Sequence, residues 1–302
     1  MKAIVTTTIN PPTEALRRFS RMSDWALIVV GDLKTPKDWY LPGALYLSPE
    51  VQSRMDYELS DAIGWNCIQR RNFGLIFAKQ LGADVVAVVD DDNIPYERWG
   101  LNLMVDREVE VNRYKTCLPV FDPVGVTNYP HLWHRGFPLQ LISKRFSTRI
   151  DAVRMTPDIQ ADFWNGEPDI DAICRLEHAP NCYFQNAYFP MASNAMSPFN
   201  SQNTFLSGRI LKDYFLFPGV GRMDDIWASY YIQSLGARVV YGEASVYQKR
   251  NEHNLITDMK NEYLGYEHNL ELVEAVSLNP ESIFRFLPEG SKRLFELYRK
   301  HF

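Results

Sequence analysis

Two unbroken apolar runs constrain this chain more than anything else in it. Trp25 to Val30 reads WALIVV and stops at Gly31–Asp32, while Asp84 to Val89 reads DVVAVV and runs straight into Asp90–Asp91–Asp92. Short runs without apolar–polar alternation, bounded by turn residues, are the pattern of strands covered on both faces, and so of a parallel sheet between helices. A shorter β-branched run, Ala3 to Thr7, precedes Asn10–Pro11–Pro12 and a helical stretch from about Thr13 to Met22. The spacing predicts a long helix from Ser60 to Leu81, with Ser60 as its N-cap and Gly82 as its stop. Strand, helix and a strand ending in acids is the doubly wound α/β order, in which ligands bind beyond the carboxyl ends of the strands.

The rest of the chain is less regular. Prolines at 36, 42 and 49 interrupt Leu33 to Leu59, and Asp158 to Phe217 is rich in Pro, Asn and aromatics, as strands and functional loops are. A strand is expected at Thr116 to Phe121, a helix from about Met223 to Leu235 and a strand from Arg238 to Tyr241. The tail after Asn254 reads as helical, with a break at Asn279–Pro280. No repeat or linker marks a boundary, so the expected organisation is a catalytic domain over 1–255 with a helical extension over 256–302 packed on it. The aromatic tail from Glu281 to Phe302 could also meet a second subunit, as in a homodimer.

Composition excludes some classes. With 46% hydrophobic and 23% charged residues, a sizeable core is expected and not disorder. A net charge of −5 and the absence of a long basic run disfavour a nucleic-acid partner, leaving only a local basic patch around Arg135, Lys144, Arg145 and Arg149. The four cysteines form no CxxC pair and no zinc-finger spacing, so they read as reduced thiols of a cytoplasmic protein. Met1 to Thr8 is too short and polar for a signal peptide, and no window approaches the ~20 apolar residues of a transmembrane segment.

Three consecutive aspartates after a buried strand repel one another and are costly to place together without a cation, the plainer alternative being a solvated acidic loop or a helix N-cap before Pro95. Mg²⁺ or Mn²⁺ takes carboxylate oxygens together with substrate phosphate oxygens. Asp90 and Asp92, as alternate residues, would face one metal, with Asp91 turned to a ribose or back into the fold. Upstream, Arg70, Arg71 and Asn72 end a segment that also carries Asn66, and an arginine fork there suits a diphosphate.

These residues carry a resemblance. The span RRNFGLIFAKQLGADVVAVVDDDNIP, Arg70 to Pro95, resembles the STELLO-type glycosyltransferase family. So do VVGDLKTP (Val29 to Pro36), HRGFPL (His134 to Leu139), PDIDAICRL (Pro168 to Leu176), PFNSQNT (Pro198 to Thr204), DDIW (Asp224 to Trp227) and QKRNEHN (Gln248 to Asn254). The blocks run in order over about residues 25 to 270. A second similarity, in the triple Asp, RGFP, PDIDA and MDDIWA, is to the reversibly glycosylated polypeptides, which are UDP-arabinopyranose mutases. Both imply a GT-A-like fold, the nucleotide-diphospho-sugar transferase type: a doubly wound mixed sheet flanked by helices, here with a helical C-terminal tail. They also imply a UDP-linked nucleotide-sugar donor and a divalent metal. They differ on whether the sugar passes to an acceptor, here unidentified, or returns to the nucleotide. A non-catalytic partner or scaffold subunit is the reading from another class, and a nucleotidyltransferase is disfavoured by the lack of a glycine-rich N-terminal signature.

The resemblance also suggests roles. Thr7, Thr8 and Asp32 at strand tips would meet the nucleoside, with Arg70, Arg71, Asn72 and Asp91 beside it. Asp90, Asp92 and His253 would hold the metal. Asp224 and Asp225 match the place of a general base, with Asp225 favoured and the other capping the helix. Arg135 would meet the pyrophosphate. Asn200, Ser201, Gln202 and Asn203 offer the paired donors and acceptors that sugar hydroxyls need. Asp169 and Asp171 form a second D-x-D that contacts sugar or orders the fold.

Overall fold

The computed structural model describes residues 1–249 and 254–302, and both apolar runs are parallel strands of one sheet. Among the described residues twelve strands are found: β1 (Lys2–Thr7), β2 (Trp25–Val30), β3 (Ala44–Leu47), β4 (Val85–Val89), β5 (Asn93–Pro95), β6 (Val109–Lys115), β7 (Thr148–Arg149), β8 (Val153–Met155), β9 (Ile159–Gly166), β10 (Met191–Ser193), β11 (Asn203–Ser207) and β12 (Val239–Gln248). The α-helices are α1 (Glu14–Phe19), α2 (Pro49–Met55), α3 (Tyr57–Ile63), α4 (Arg71–Gln80), α5 (Ala172–His178), α6 (Asp224–Ser234), α7 (Leu255–Leu278) and α8 (Ser291–Arg299).

The strand order is β3-β2-β1-β4-β11-β9-β12-β10-β6-β7, with β5 on β12 and β8 on β6. The first four strands are parallel; β11 runs antiparallel to both β4 and β9, which makes the sheet mixed. The chain winds outward from β1 through β2 to β3, then crosses back to lay β4 on the other side of β1. The carboxyl ends of β1 and β4 therefore flank a topological switch point, where an open α/β sheet leaves a crevice. Every residue from Leu27 to Val30 and from Val86 to Val89 is fully buried, as the unbroken apolar pattern requires. Each such side chain contributes about 1.5–3 kcal/mol by leaving water.

The expected helix over 60–81 is broken in two. Asp56 caps α3 through the Leu59 N–H, so that helix starts before Ser60, and Gly64 ends it at φ 76°. The Asp32 carboxylate then takes the N–H groups of Asn66 (2.8 Å) and Cys67 (3.0 Å), drawing the chain out of helical geometry until a 3₁₀ turn at Ile68–Arg70 leads into α4. The strand expected over 116–121 is also absent. The Thr116 hydroxyl accepts from the Leu118 N–H and closes a local turn, so the strand, β6, lies upstream and only Val120 bridges to Met196. The strand expected over 238–241 extends to Gln248.

The helical tail packs on the same chain. Leu272, Val273 and Val276 of α7 are buried, and the Trp227 indole of α6 donates to Asn269 at 2.8 Å. Phe295 and Tyr298 of α8 lie against Phe215 and Phe217. Phe295 and Tyr298, two of the tail's aromatic side chains, are thus taken up inside the chain, because the loop preceding α6 supplies matching rings. Among the described residues no helix is long and apolar enough to cross a membrane.

Candidate functional site

The carboxyl ends of β1 and β2 and the loop drawn in by Asp32 enclose a cavity of about 250 Å³. Thr7, Thr8, Asn10, Asp32, Asn66, Arg70 and Asp91 line it, so the structure brings together five of the residues expected at a nucleotide. Asp32 is tied to its own loop, accepting also from the Leu33 N–H at 2.6 Å. Asp91 turns back into the fold: its carboxylate accepts from Thr8 Oγ1 at 2.5 Å and Asn10 Nδ2 at 3.1 Å, and its carbonyl from Thr13 Oγ1 at 2.5 Å. Burial nevertheless holds the Asp91 carboxyl above its usual range, with the neighbouring Asp90 charge adding to the effect. Thr13 also caps α1, so one side chain fixes both the helix start and the acidic loop.

Asp90 and Asp92 are half-buried. Their hard carboxylate oxygens are the donor type that Mg²⁺ or Mn²⁺ takes. Among the described residues no group of three or more His, Cys, Asp or Glu is arranged to hold a metal by itself. The pair therefore fits a cation whose remaining ligands come from phosphate oxygens or water. His253, expected as a further ligand, lies outside the described residues.

Beneath this tip runs a chain of buried polar contacts. Arg71 of α4 donates to Asp90 at 2.8 Å, to Thr7 at 3.3 Å and to the carbonyl and hydroxyl of Ser201 at 2.6 and 2.8 Å. The Ser201 N–H and hydroxyl donate to Asp225 at 2.9 and 3.2 Å. Arg135 grips Asp225 with both terminal nitrogens, at 3.0 and 3.1 Å, and Asp169 with Nε. Asp90 is thus joined to Asp169 through Arg71, Ser201, Asp225 and Arg135.

This wiring corrects several expectations. Arg135 does not face a pyrophosphate, since its fork is held by two buried aspartates and the Arg222 carbonyl. Burial acts to lower its pKa, and the two carboxylates more than reverse this, so it stays charged. Arg70 borders the cavity, but its guanidinium is engaged within the fold: it donates to Gln52, Ser60 and Gly64 and stacks on Trp65 and Phe73, and burial pulls its pKa down to about 10. Asn72 forms a reciprocal pair with the Leu216 backbone, 3.0 Å each way. Arg71 is buried under the cleft floor and positions Asp90. Asp171 caps α5 through the Cys174 N–H and accepts from Trp133, so it orders the fold, with burial raising it to about 7.

The Asn200–Asn203 set divides. Asn203 accepts from Trp99 at 2.9 Å and donates to the Phe163 carbonyl and Ser245, which leaves it nothing for a ligand. Asn200 donates to Asp169 at 2.9 Å and accepts from the Gln202 N–H at 3.0 Å. Ser201 belongs to the chain of contacts above. Of these four, the Gln202 side chain has no hydrogen-bond partner among the described residues.

Asp224 and Asp225 open α6, both buried. Neither caps the helix by a side-chain bond, contrary to expectation, because Asp225 meets Arg135 and Ser201 and Asp224 accepts from Gln69 Nε2 at 2.8 Å. Burial, and then the Asp225 charge, raise Asp224 to about 7. Gln69, Asn10 and Thr13 were not singled out from the sequence. Their types are common in loops and caps, and only tertiary placement brings them to the aspartates.

No family model matches the chain. Two Arabidopsis thaliana proteins do: Probable glycosyltransferase STELLO2, 27% identical over 186 residues covering 57% of this chain and 24% of its own, and Probable glycosyltransferase STELLO1, 25% identical over 263 residues covering 78% and 33%. The chain spans about a quarter to a third of the length of these relatives. Among solved structures, glucosyl-3-phosphoglycerate synthase from Mycobacterium tuberculosis, in complex with phosphoglyceric acid, is a distant likeness. It has a TM-score of 0.46 and 13% identity, covering 90% of this chain and 80% of that one. Over most of its length, the chain is similar in sequence to the STELLO-type glycosyltransferases.

Proposed function

We propose that this chain is a metal-dependent glycosyltransferase, moving a sugar from a nucleoside diphosphate donor, UDP-linked, to an acceptor hydroxyl. The observation that carries the reading is the triple aspartate at the end of β4, beside the switch-point cleft and braced from below by Arg71. The names of the two plant relatives support the same class of reaction.

In this reading the nucleoside lies against Thr7, Thr8 and Asp32, with Asn10 and Asp91 closing that end. Asp90 and Asp92 would hold Mg²⁺ or Mn²⁺, which would supply positive charge to a diphosphate leaving group. Asp224 is the residue suited to take the acceptor's proton, since a carboxyl titrating near 7 exchanges a proton at working pH. Asp225, Arg135 and Ser201 act through it as positioning residues. The reading differs from our sequence expectation, which favoured Asp225, because two partners engage Asp225.

The test is incubation with a panel of sugar nucleotides and Mn²⁺, following nucleotide release and sugar-nucleotide identity, with Asp92→Ala as control. Slow UDP release from one donor, lost in the variant, supports the transferase. Isomerisation of a sugar nucleotide without release would instead assign a mutase. No turnover and no metal-dependent binding across the panel would overturn the catalytic reading.

A further inference from the structure

A second cavity, of about 190 Å³, shares no lining residue with the cleft beside the triple aspartate. Asp162 and Gln160 of β9 and Ser245 of β12 line its buried part, each more than nine-tenths buried. Met104, Phe189 and Pro190 give it an apolar wall, and the exposed Arg98, Asn102 and Asn186 line its solvent side. Gly242, the register partner of Asp162, keeps the space open. A Cβ there would fall 2.0 Å from Asp162 Oδ1 and 3.3 Å from Met104 Cε.

Asp162 has neutral donors around it and no cation of its own. Its Oδ1 accepts from Gln160 Nε2 at 2.8 Å. Arg98, the cation of the lining, is spent on Glu243 at 3.1 Å and on the Ala244 carbonyl at 3.2 Å. Burial raises Asp162 to about 7, the Glu243 charge adding to it while Gln160, Ser245 and Arg98 oppose it. Once ionised, Asp162 and Glu243 set two carboxylates against one guanidinium, and a buried carboxylate is costly until a positive charge or strong donors meet it. Among the described residues no group of three or more His, Cys, Asp or Glu could hold a metal ion. The complement is therefore an organic cation. An ammonium brings the charge and three N–H donors, and a short apolar body suits the wall of Met104, Phe189 and Pro190. Size keeps it compact, since a cavity of ~150 Å³ takes a benzene-sized ligand.

We propose that this cavity is a second ligand site, which takes a compact primary amine with its ammonium on Asp162 and its apolar body against Met104, Phe189 and Pro190. Asp162 gives its proton to solvent as the cation enters. The site stands whether or not the other cleft binds a sugar nucleotide.

The experiment uses the full chain and titrates benzylamine by ligand-observed NMR, with benzyl alcohol as the neutral isostere and benzoate as the anion, in the native protein and in Asp162→Asn. Benzylamine should bind the native protein about tenfold or more tighter than either control, and Asp162→Asn should remove that advantage. Its affinity should rise about tenfold between about pH 6 and pH 8, as the ionised fraction of Asp162 goes from about a tenth to about nine-tenths. Benzyl alcohol should show no such rise, and UDP with Mn²⁺ should leave benzylamine binding unchanged.

No binding of benzylamine, equal affinity for benzylamine and benzyl alcohol, or an affinity flat across that pH range would overturn the site. Benzylamine binding retained in Asp162→Asn, with a fall in unfolding temperature, would show the carboxyl to be structural. Competition by UDP would overturn the separation of the two cavities. Where Asp162→Asn does not fold, the pH profile of the native protein decides alone.

Discussion

Asp224 and Asp225 are adjacent in sequence and differ in what surrounds them. Asp225 meets Arg135 and Ser201, whereas Asp224 has the Gln69 amide and a burial that, with the Asp225 charge, raises it to about 7. A base works when deprotonated, so turnover should rise with pH through about 7 and level off above it. Asp224→Asn should lower turnover on the order of a hundredfold or more, flatten that profile and leave donor affinity unchanged, which initial rates and calorimetry would separate. A profile unchanged in the variant would remove Asp224 from the reaction. Arg71 makes a different prediction. Its planar fork bonds Thr7, Asp90 and Ser201 at once, a geometry that a lysine cannot copy. Arg71→Lys should therefore weaken Mn²⁺-dependent UDP binding by about tenfold, through loss of one or two charge-assisted bonds that hold Asp90 in place. Equal affinity in the variant would mean that Asp90 needs no brace.

α4 delivers Arg71 because it lies close on the sheet, and Gly74 permits that approach. A Cβ on Gly74 would fall 2.4 Å from Val5 Cγ1 and 2.9 Å from Val30 Cγ2, both in the fully buried floor of the sheet. Gly74→Ala gains helix propensity of about 1 kcal/mol, but overpacking of this kind costs about 1–3 kcal/mol. Net destabilisation in urea unfolding, with weaker UDP binding as α4 lifts, is the expected outcome; a stabilised variant would show that the helix can slide freely. Elements of this sort divide into those the sequence announces and those it does not. β2 and β4 were legible because burial on both faces leaves an unbroken apolar run. α6 was legible because its boundaries are marked by Gly219–Gly221 before it and Gly236 after it. The break between α3 and α4 was not, since the Asp32 carboxylate that makes it lies 34 residues upstream of Asn66 and acts only once β2 is in place. The triple aspartate was legible as a candidate site for the same reason as β4: charge after an apolar strand needs compensation. The separate paths of the buried neighbours Arg70 and Arg71, the first to Gln52 and Ser60 and the second to Asp90 and Ser201, were not, because adjacent helical residues point about 100° apart and no local pattern says which partner each meets.

At the scale of the molecule, the chain buries several carboxyls that titrate far from their usual range. Burial is the first cause in each case, raising Asp162, Asp171 and Asp224 to about 7. Asp162 lies apart from the triple aspartate, on β9, accepting from Gln160 Nε2 at 2.8 Å. The sign follows from linkage. In the unfolded chain these groups titrate near 3.9, so between that value and 7 the folded protein binds more protons than the unfolded one. Stability from these groups is fully present below about 4 and is lost as pH rises through 7. The unfolding temperature should therefore fall between pH 5 and pH 8, opposite to the slope expected where salt-bridged carboxylates dominate. Asp162→Asn removes one titration without touching the triple aspartate, Arg71 or the Asp224–Asp225 pair. It should make the slope shallower while UDP binding stays as in the native protein. Thermal unfolding of both proteins across that range decides the matter. A slope of unchanged steepness in the variant would mean that Asp162 is ionised in the folded chain, and that its burial on β9 is compensated by partners stronger than Gln160 and Ser245.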